Sequence, residues 1–231
     1  MIDKIVFSDF YGTLSKGRIS AEFLDFLFER KLYPEDFYIV QKNIVEHYNK
    51  KNISYTDYML IWGELWAKGL KNKRVEEINQ AANEFYPSFR DSIYPFAFEA
   101  MKIFREKGYT SVLVSAGAKE VVKLAAKDLM MDDVIATECK VSKGKYTGDL
   151  STALHLPEGK EKAITEYVYK KKINLSNAFA LGDSEHDKCM LEIVPKQAVI
   201  NPTNYFASYA KRRFWKVVTA ENILEYLRSL E

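Results

Sequence analysis

Residues 4–14 read Lys4-Ile5-Val6-Phe7-Ser8-Asp9-Phe10-Tyr11-Gly12-Thr13-Leu14. An apolar run ends in an acid, and a Gly-Thr turn follows. The run is a short buried strand in the making. In an open α/β sheet, ligands bind in the crevice just past the C-terminal ends of parallel strands, which is where Asp9 would stand. Gly12 lets the backbone turn sharply, and Thr13 can start a new element.

After Leu14 the strand signal stops, and residues 20–86 read as consecutive helices. Ser20 is placed to cap the first, which carries Phe23, Leu24, Leu27 and Phe28 on one face. Pro34, Glu35 and Asp36 open the second, and Lys50-Lys51 closes it. Ser54 or Thr56 opens a third, with Tyr58, Ile61, Trp62, Leu65 and Trp66 at helical spacing and Gly69 as its stop. A fourth runs over about 73–85 and is expected to end at Pro87. Trp62 and Trp66 read first as helix packing and second as a roof over a site.

Helix–strand alternation resumes near Pro95. A helix over 97–107 stops at Gly108, and the β-branched run 110–114 is a buried strand ending in Ser115-Ala116-Gly117. A helix over about 119–130, a strand at 134–137 and a hairpin turn at Ser142-Lys143-Gly144-Lys145 follow. Pro157 precedes a long helix over about 160–172. The strand 178–181 ends in Gly182-Asp183, and a helix is expected over 185–193. Short strands at 198–200 and 216–218 and a helix over 220–230 complete the series. Such βα units build a mostly parallel sheet covered on both faces, with right-handed crossovers. The expected organisation is an α/β core of residues 1–16 and 87–231, interrupted by an all-helical cap of residues 17–86.

Composition narrows the function. The 231 residues carry 34 basic and 32 acidic side chains, a net charge of +2, so bulk charge gives no case for nucleic acid. Lys170-Lys171-Lys172 and Lys211-Arg212-Arg213 read as solvated helix ends. Only Cys139 and Cys189 are present, which excludes a disulfide framework. No signal-peptide pattern and no bilayer-spanning apolar run is visible, so a soluble cytoplasmic protein with no membrane partner is expected. Oligomeric state has no signature in the sequence.

Four polar features recur in order, each after the right kind of element: Asp9 with Gly12-Thr13-Leu14, Ser115, Lys160, and Gly182-Asp183-Ser184-Glu185-His186-Asp187. Each alone is weak: a capped turn, a helix cap or a surface lysine would produce it. In combination they resemble the motifs of the haloacid dehalogenase superfamily, over nearly the whole chain. Tyr94-Pro95, Ala136-Thr137-Glu138 with Gly144-Lys145-Tyr146-Thr147-Gly148, and Asn201-Pro202 with Phe214-Trp215-Lys216-Val217 look like its phosphoserine-phosphatase-like branch. That resemblance implies a Rossmann-like three-layer α/β/α core with a helical cap. It also implies Mg²⁺-dependent hydrolysis of a small phosphate monoester, and its spacing selects Lys160 over Lys143 and Lys162.

The chemistry suits these residue types. Asp9 can attack phosphorus and form an aspartyl phosphate. Asp9 and Asp183 offer hard oxygens to Mg²⁺, and the backbone carbonyl of Tyr11 a third. Ser115 with the amides of Ala116 and Gly117 can hold phosphate oxygens, and Thr13 is expected to join them. Lys160 can neutralise the charge shared by Asp9 and the phosphoryl group. Asp187 completes the expected metal set, orienting a bound water or Lys160.

Tyr11 departs from the family pattern, in which a second Asp protonates the leaving oxygen and then activates water. A phenol, with a pKa of about 10, is a poor base near neutrality. Three readings follow: a phosphohydrolase slowed by Tyr11, in which His186 or a water substitutes in part; a phosphate-binding or regulatory module without turnover; and a 2-haloacid dehalogenase. The last accounts for Tyr11 but has no use for Asp183 and lacks its cap arginine near Val40. The cap helix Tyr58-Met59-Leu60-Ile61-Trp62-Gly63-Glu64-Leu65-Trp66 also lacks the arginine that phosphoserine phosphatases turn to their substrate. Arg18 and Arg90 flank the cap and read first as surface ion pairs.

Overall fold

The computed structural model describes residues 4–152, 154 and 158–230; Pro157 lies outside them. Strand β1 is Ile5–Ser8, β2 Thr110–Ala118 and β3 Asp133–Thr137. The hairpin strands are β4 Cys139–Ser142 and β5 Lys145–Leu150. Strands β6 Phe179–Gly182, β7 Lys196–Ile200 and β8 Lys216–Val218 follow. The main sheet is parallel throughout, in the order β3-β2-β1-β6-β7-β8. The chain leaves β1 towards β2 and β3, then crosses back to build β6, β7 and β8 on the other side. That reversal opens a crevice at the carboxyl ends of β1, β2 and β6.

Alternation along the strands makes the layers. Ile5 and Phe7 of β1 face one core with Val112, Val114, Ala180 and Val199. Val6 faces the other core with Leu113, Phe179, Leu181 and Ala198. All four residues of β1 and of β6 are buried, as a strand covered on both sides requires. Helix α5 (Pro95–Glu106) and α6 (Lys119–Asp128) contribute to the second core. Helix α7 (Gly159–Lys171) and α8 (Lys188–Glu192) contribute to the first. No helix of the described residues is long and apolar enough to cross a membrane.

Between β1 and β2 run α1 (Ile19–Glu29), α2 (Glu35–Asn49), α3 (Tyr55–Gly69) and α4 (Val75–Phe89). Their aromatic seam is continuous: Phe23 lies 5.4 Å from Phe85 and 6.0 Å from Trp66, and Trp66 lies 5.6 Å from Trp62. Tyr86 of α4 donates to Asp128 of α6 at 2.9 Å, tying the helical block to the sheet layer. The β4–β5 hairpin makes a second tie. Val75 N donates to Gly144 O at 3.0 Å, Asn72 N to Tyr146 O at 2.9 Å, and Tyr146 N to Lys73 O at 3.1 Å.

Several local expectations are corrected. Ser20 does not cap α1; Arg18 precedes the helix without a side-chain cap, and Ser20 lies buried inside it. Helix α3 stops at Gly69 as expected, but not through a left-handed turn. A Cβ there would stand 2.1 Å from the Tyr33 ring, so the glycine makes room for an aromatic, while Asn72 takes the positive φ at +66°. Pro87 lies within α4 rather than ending it, because Phe85 and Phe89, one turn apart, are both buried in the aromatic seam. Residues 185–193 form a 3₁₀ turn, Glu185–Asp187, before the short α8. Two further helices are α9 (Asn204–Arg212) and α10 (Ile223–Ser229). Lys211-Arg212-Arg213, read as a helix end, closes α9, whose start went unread although Thr203 caps it through the amide of Phe206 at 3.3 Å.

Candidate active site

Asp9 leaves the end of β1 with its amide bonded to Leu181 O of the neighbouring β6 at 3.0 Å. That bond fixes the acid in the crevice. The chain then turns back on itself, with the Leu14 and Ser15 amides both donating to Phe10 O at 2.8 and 2.9 Å. Gly12 takes a φ of +88°, and a Cβ there would lie 2.4 Å from Asp183 Oδ2. The glycine is therefore required twice, for its backbone angle and for the close approach of the second acid. Thr13 Oγ1 donates to Asp183 Oδ1 at 3.4 Å, so Thr13 steadies the acid rather than opening a new element.

Lys160, in the first turn of α7, is buried and donates 2.6 Å bonds to both Asp9 Oδ1 and Asp187 Oδ1. Asp187 Oδ2 accepts from the amides of Asp183 and Ser184 at 3.0 and 3.3 Å. Asp187, 1% exposed, thus has both oxygens engaged: it positions Lys160 and folds the Asp183 loop. Burial pulls the Lys160 pKa down, but the carboxylates of Asp187 and Asp9 outweigh it and hold the group well above its ordinary value. The ammonium stays charged.

The carboxylates respond the other way. Burial first, then the charge of Asp187, pushes Asp9 up to about 6 against the pull of Lys160. Burial, then the charges of Asp9 and Asp187, pushes Asp183 up to about 8. Oxygens of these three acids lie within 4.8 Å of one another, around a single compensating ammonium. A divalent cation fits this donor set of hard carboxylate oxygens, since its charge would offset the burial and mutual repulsion that raise both pKa values. Asp9 and Asp183 are the acids whose oxygens suit it, since Asp187 is taken up by Lys160 and the loop amides.

On the other side of Asp9, β2 continues past Ser115 to Ala118, and α6 begins at Lys119. Ser115 Oγ accepts from Gly117 N at 3.1 Å, and the Ala118 amide donates to Ser20 Oγ of α1 at 2.8 Å. The expectation of two free amides at a helix start is therefore corrected: Gly117 N is used locally, because the strand runs on through a bulge before the helix starts. Thr137 Oγ1 donates to Ala116 O at 2.7 Å and pins the same loop from β3.

A cleft of about 370 Å³ lies over these groups, lined by Asp9, Tyr11, Ser115, Lys160 and Asp183 below and by Tyr48, Tyr55, Tyr58, Met59 and Trp62 of α2 and α3 above. Tyr11 is 45% exposed, and its ring carries the Arg18 guanidinium at 5.0 Å from the centroid. His186, whose pKa burial lowers, is stacked on Tyr55 with centroids 3.5 Å apart. Both readings of the tryptophans hold in part: Trp66 is buried packing, and Trp62 lines the cleft. Arg90 pairs with Asp128 at 2.8 Å, as a surface arginine would. Arg18 has no such pair among the described residues and lines the cleft.

The sequence reading assembled Asp9, Tyr11, Thr13, Ser115, Ala116, Gly117, Lys160, Asp183 and Asp187, and the fold brings all nine to one crevice. It missed Ser20, whose hydroxyl at a helix start looks like an ordinary cap. Tyr48 and Tyr55 were also missed, because aromatics at helical spacing look like core.

Known proteins resemble this chain in sequence and in fold. The model of the haloacid dehalogenase-like hydrolase family matches residues 6–192. A probable phosphatase of Mycobacterium tuberculosis is 32% identical over 149 residues, which cover 63% of this chain and 50% of that protein. The chain spans about half the length of the curated relatives it matches first. A protein of unknown function from Bordetella pertussis superposes with a TM-score of 0.81 at 21% identity, over 95% of this chain and 100% of its own. A phospho-aspartyl intermediate analogue of phosphoserine phosphatase superposes with a TM-score of 0.65 at 19% identity, over 98% of this chain and 99% of its own. At such identity the likeness is one of fold. With the family match running from β1 through α8, the chain belongs to the haloacid dehalogenase-like hydrolases.

Proposed function

We propose that the protein is a phosphatase that hydrolyses a small phosphate monoester through a phosphorylated Asp9. The observation that carries this reading is the buried Lys160 ammonium held between Asp9 and Asp187. A nucleophilic carboxylate gains charge on its oxygens' surroundings as phosphate arrives, and a fixed cation beside it offsets that charge. Mg²⁺ held by Asp9, Asp183 and the carbonyl of Tyr11 would neutralise phosphate oxygens and favour ionised carboxylates.

In this scheme Asp9 attacks phosphorus, the bond from phosphorus to the ester oxygen breaks, and the alcohol leaves with a proton from solvent. Ser115 and the amide of Ala116 hold phosphate oxygens, with Ser115 oriented by the Gly117 amide. Water then attacks the acyl phosphate and frees Asp9. Tyr11 gives little help as a base, so this second step is the slow one. Residues 17–86 act as a cap whose tyrosine wall keeps bulk water from the phosphoryl group. Two free cysteines support a reducing, cytoplasmic setting.

The test is phosphate release from p-nitrophenyl phosphate and a panel of esters, with and without Mg²⁺, against Asp9→Asn. Release that needs Mg²⁺ and is lost in Asp9→Asn supports the reading. No release above that control overturns it in favour of a binding module. Halide release from 2-haloacids without metal would assign a dehalogenase.

A further inference from the structure

Arg18 stands at the hinge between the β1 turn and α1, half-buried, and its guanidinium faces the cleft. It lies over the rings of Tyr11 at 5.0 Å and Tyr48 at 5.8 Å. The side chains that act on it are three phenols, Tyr11, Tyr58 and Tyr48. Among the described residues no carboxylate lies within ion-pair distance of it, as none does of Arg105 and Arg212, but of these three only Arg18 lines the cleft. The acids of the cleft floor are engaged with Lys160, Thr13 and loop amides.

A partly buried arginine without a carboxylate is costly unless something anionic completes it. Two tyrosine faces and a contact with Tyr11 hold the guanidinium in place, and none of them gives its planar N–H fork the paired anionic oxygens it fits. The fork suits a planar carboxylate or a phosphate, bound through two parallel bonds. The cleft that Arg18 and the acids share, of about 370 Å³, is larger than a phosphate needs, and its wall of Tyr55, Tyr58, Met59 and Trp62 suits an apolar body.

We propose that Arg18 is the specificity residue of the site, and that the substrate is a phosphate monoester whose apolar body carries a second anionic group at its far end. This deepens the phosphatase reading and rests on it. The phosphoryl group lies at Asp9, the body along the tyrosine wall, and the second anion on the Arg18 fork. Tyr11 thereby has a use in this site, because its ring is one of the two faces on which the guanidinium lies.

The experiment compares 4-carboxyphenyl phosphate with 4-carbamoylphenyl phosphate, two esters of similar shape and leaving group that differ in the second charge. 1,4-Phenylene bisphosphate distinguishes a second phosphate from a carboxylate. Wild type is expected to favour a doubly anionic ester in kcat/KM by about tenfold or more. In Arg18→Gln that ratio should collapse towards one. No preference in wild type, or a preference that survives in Arg18→Gln, overturns the proposal. If none of the esters is turned over, the phosphatase reading fails on its own. Binding of the same esters to wild type and Arg18→Gln, followed by calorimetry, then decides: charge-dependent binding lost in the variant upholds Arg18, and equal binding overturns it. Circular dichroism and melting of Arg18→Gln verify that the variant is folded.

Discussion

The ammonium of Lys160 lies 2.6 Å from Asp9 Oδ1, across 151 residues of sequence, and shares itself with Asp187 at the same distance. Replacing it strips two buried carboxylates of their counter-charge. Lys160→Met should lower unfolding free energy by on the order of 3 kcal/mol and kcat by at least about 10²-fold. Urea denaturation and steady-state kinetics measure the two. A variant with unchanged stability would mean that the pair is not formed in solution.

Gly12 supports the second acid from below. Gly12→Ala forces an L side chain to a φ of +88° and its Cβ into Asp183. The expected cost is roughly 1–2 kcal/mol of stability. Displacement of Asp183 should also weaken Mg²⁺ binding by about tenfold, read as a smaller shift of melting temperature per increment of Mg²⁺. Wild-type metal affinity in this variant would separate Asp183 from the metal.

The carboxylate pKa values set a pH dependence of stability. Asp9 at about 6 and Asp183 at about 8 both lie above the unfolded value of 3.8. The folded metal-free protein therefore holds protons that the unfolded chain has released. Their stabilising contribution is full below the unfolded value and is lost as pH rises through about 6 and then about 8. The melting temperature of the metal-free protein should fall across that window by on the order of 5 °C, and millimolar Mg²⁺ should abolish the fall. A flat profile, or one that Mg²⁺ leaves unchanged, would contradict the crowding of charge at the site.

Tyr11→Asp returns an acid–base group to the position two residues after the nucleophile. On an alkyl phosphate, whose leaving group needs a proton, kcat should rise by about 10²-fold or more. The gain should be smaller on p-nitrophenyl phosphate, since its phenolate leaves unaided. Equal activity of both proteins would remove Tyr11 from the account of slow turnover.

Much of this was legible in the sequence because it depends on strand order. An apolar strand followed by an acid reads the same in the chain and in the fold, so Asp9 and Asp183 were found by reading forward from 4–9 and 178–181. Lys160 was different: no local pattern marks it, and only the resemblance to the family, through the spacing to Gly182-Asp183, singled it out. What stayed hidden was contact between elements. Ser20 looks like a helix cap until Ala118 is seen to donate to it, and the stop at Gly69 does not tell that the glycine also leaves room for the Tyr33 ring. Arg18 looked like a surface cation because sequence carries no information about missing partners.

The most direct test of Asp9 as a nucleophile is mass spectrometry of the acid-quenched protein after rapid mixing with p-nitrophenyl phosphate and Mg²⁺. With a good leaving group and a poor base, the first step outruns the second. A burst of p-nitrophenol should therefore accompany a phosphoryl adduct on the peptide containing Asp9, and both should vanish in Asp9→Asn. Phosphate released with no adduct at Asp9, or an adduct that persists in Asp9→Asn, would contradict the mechanism.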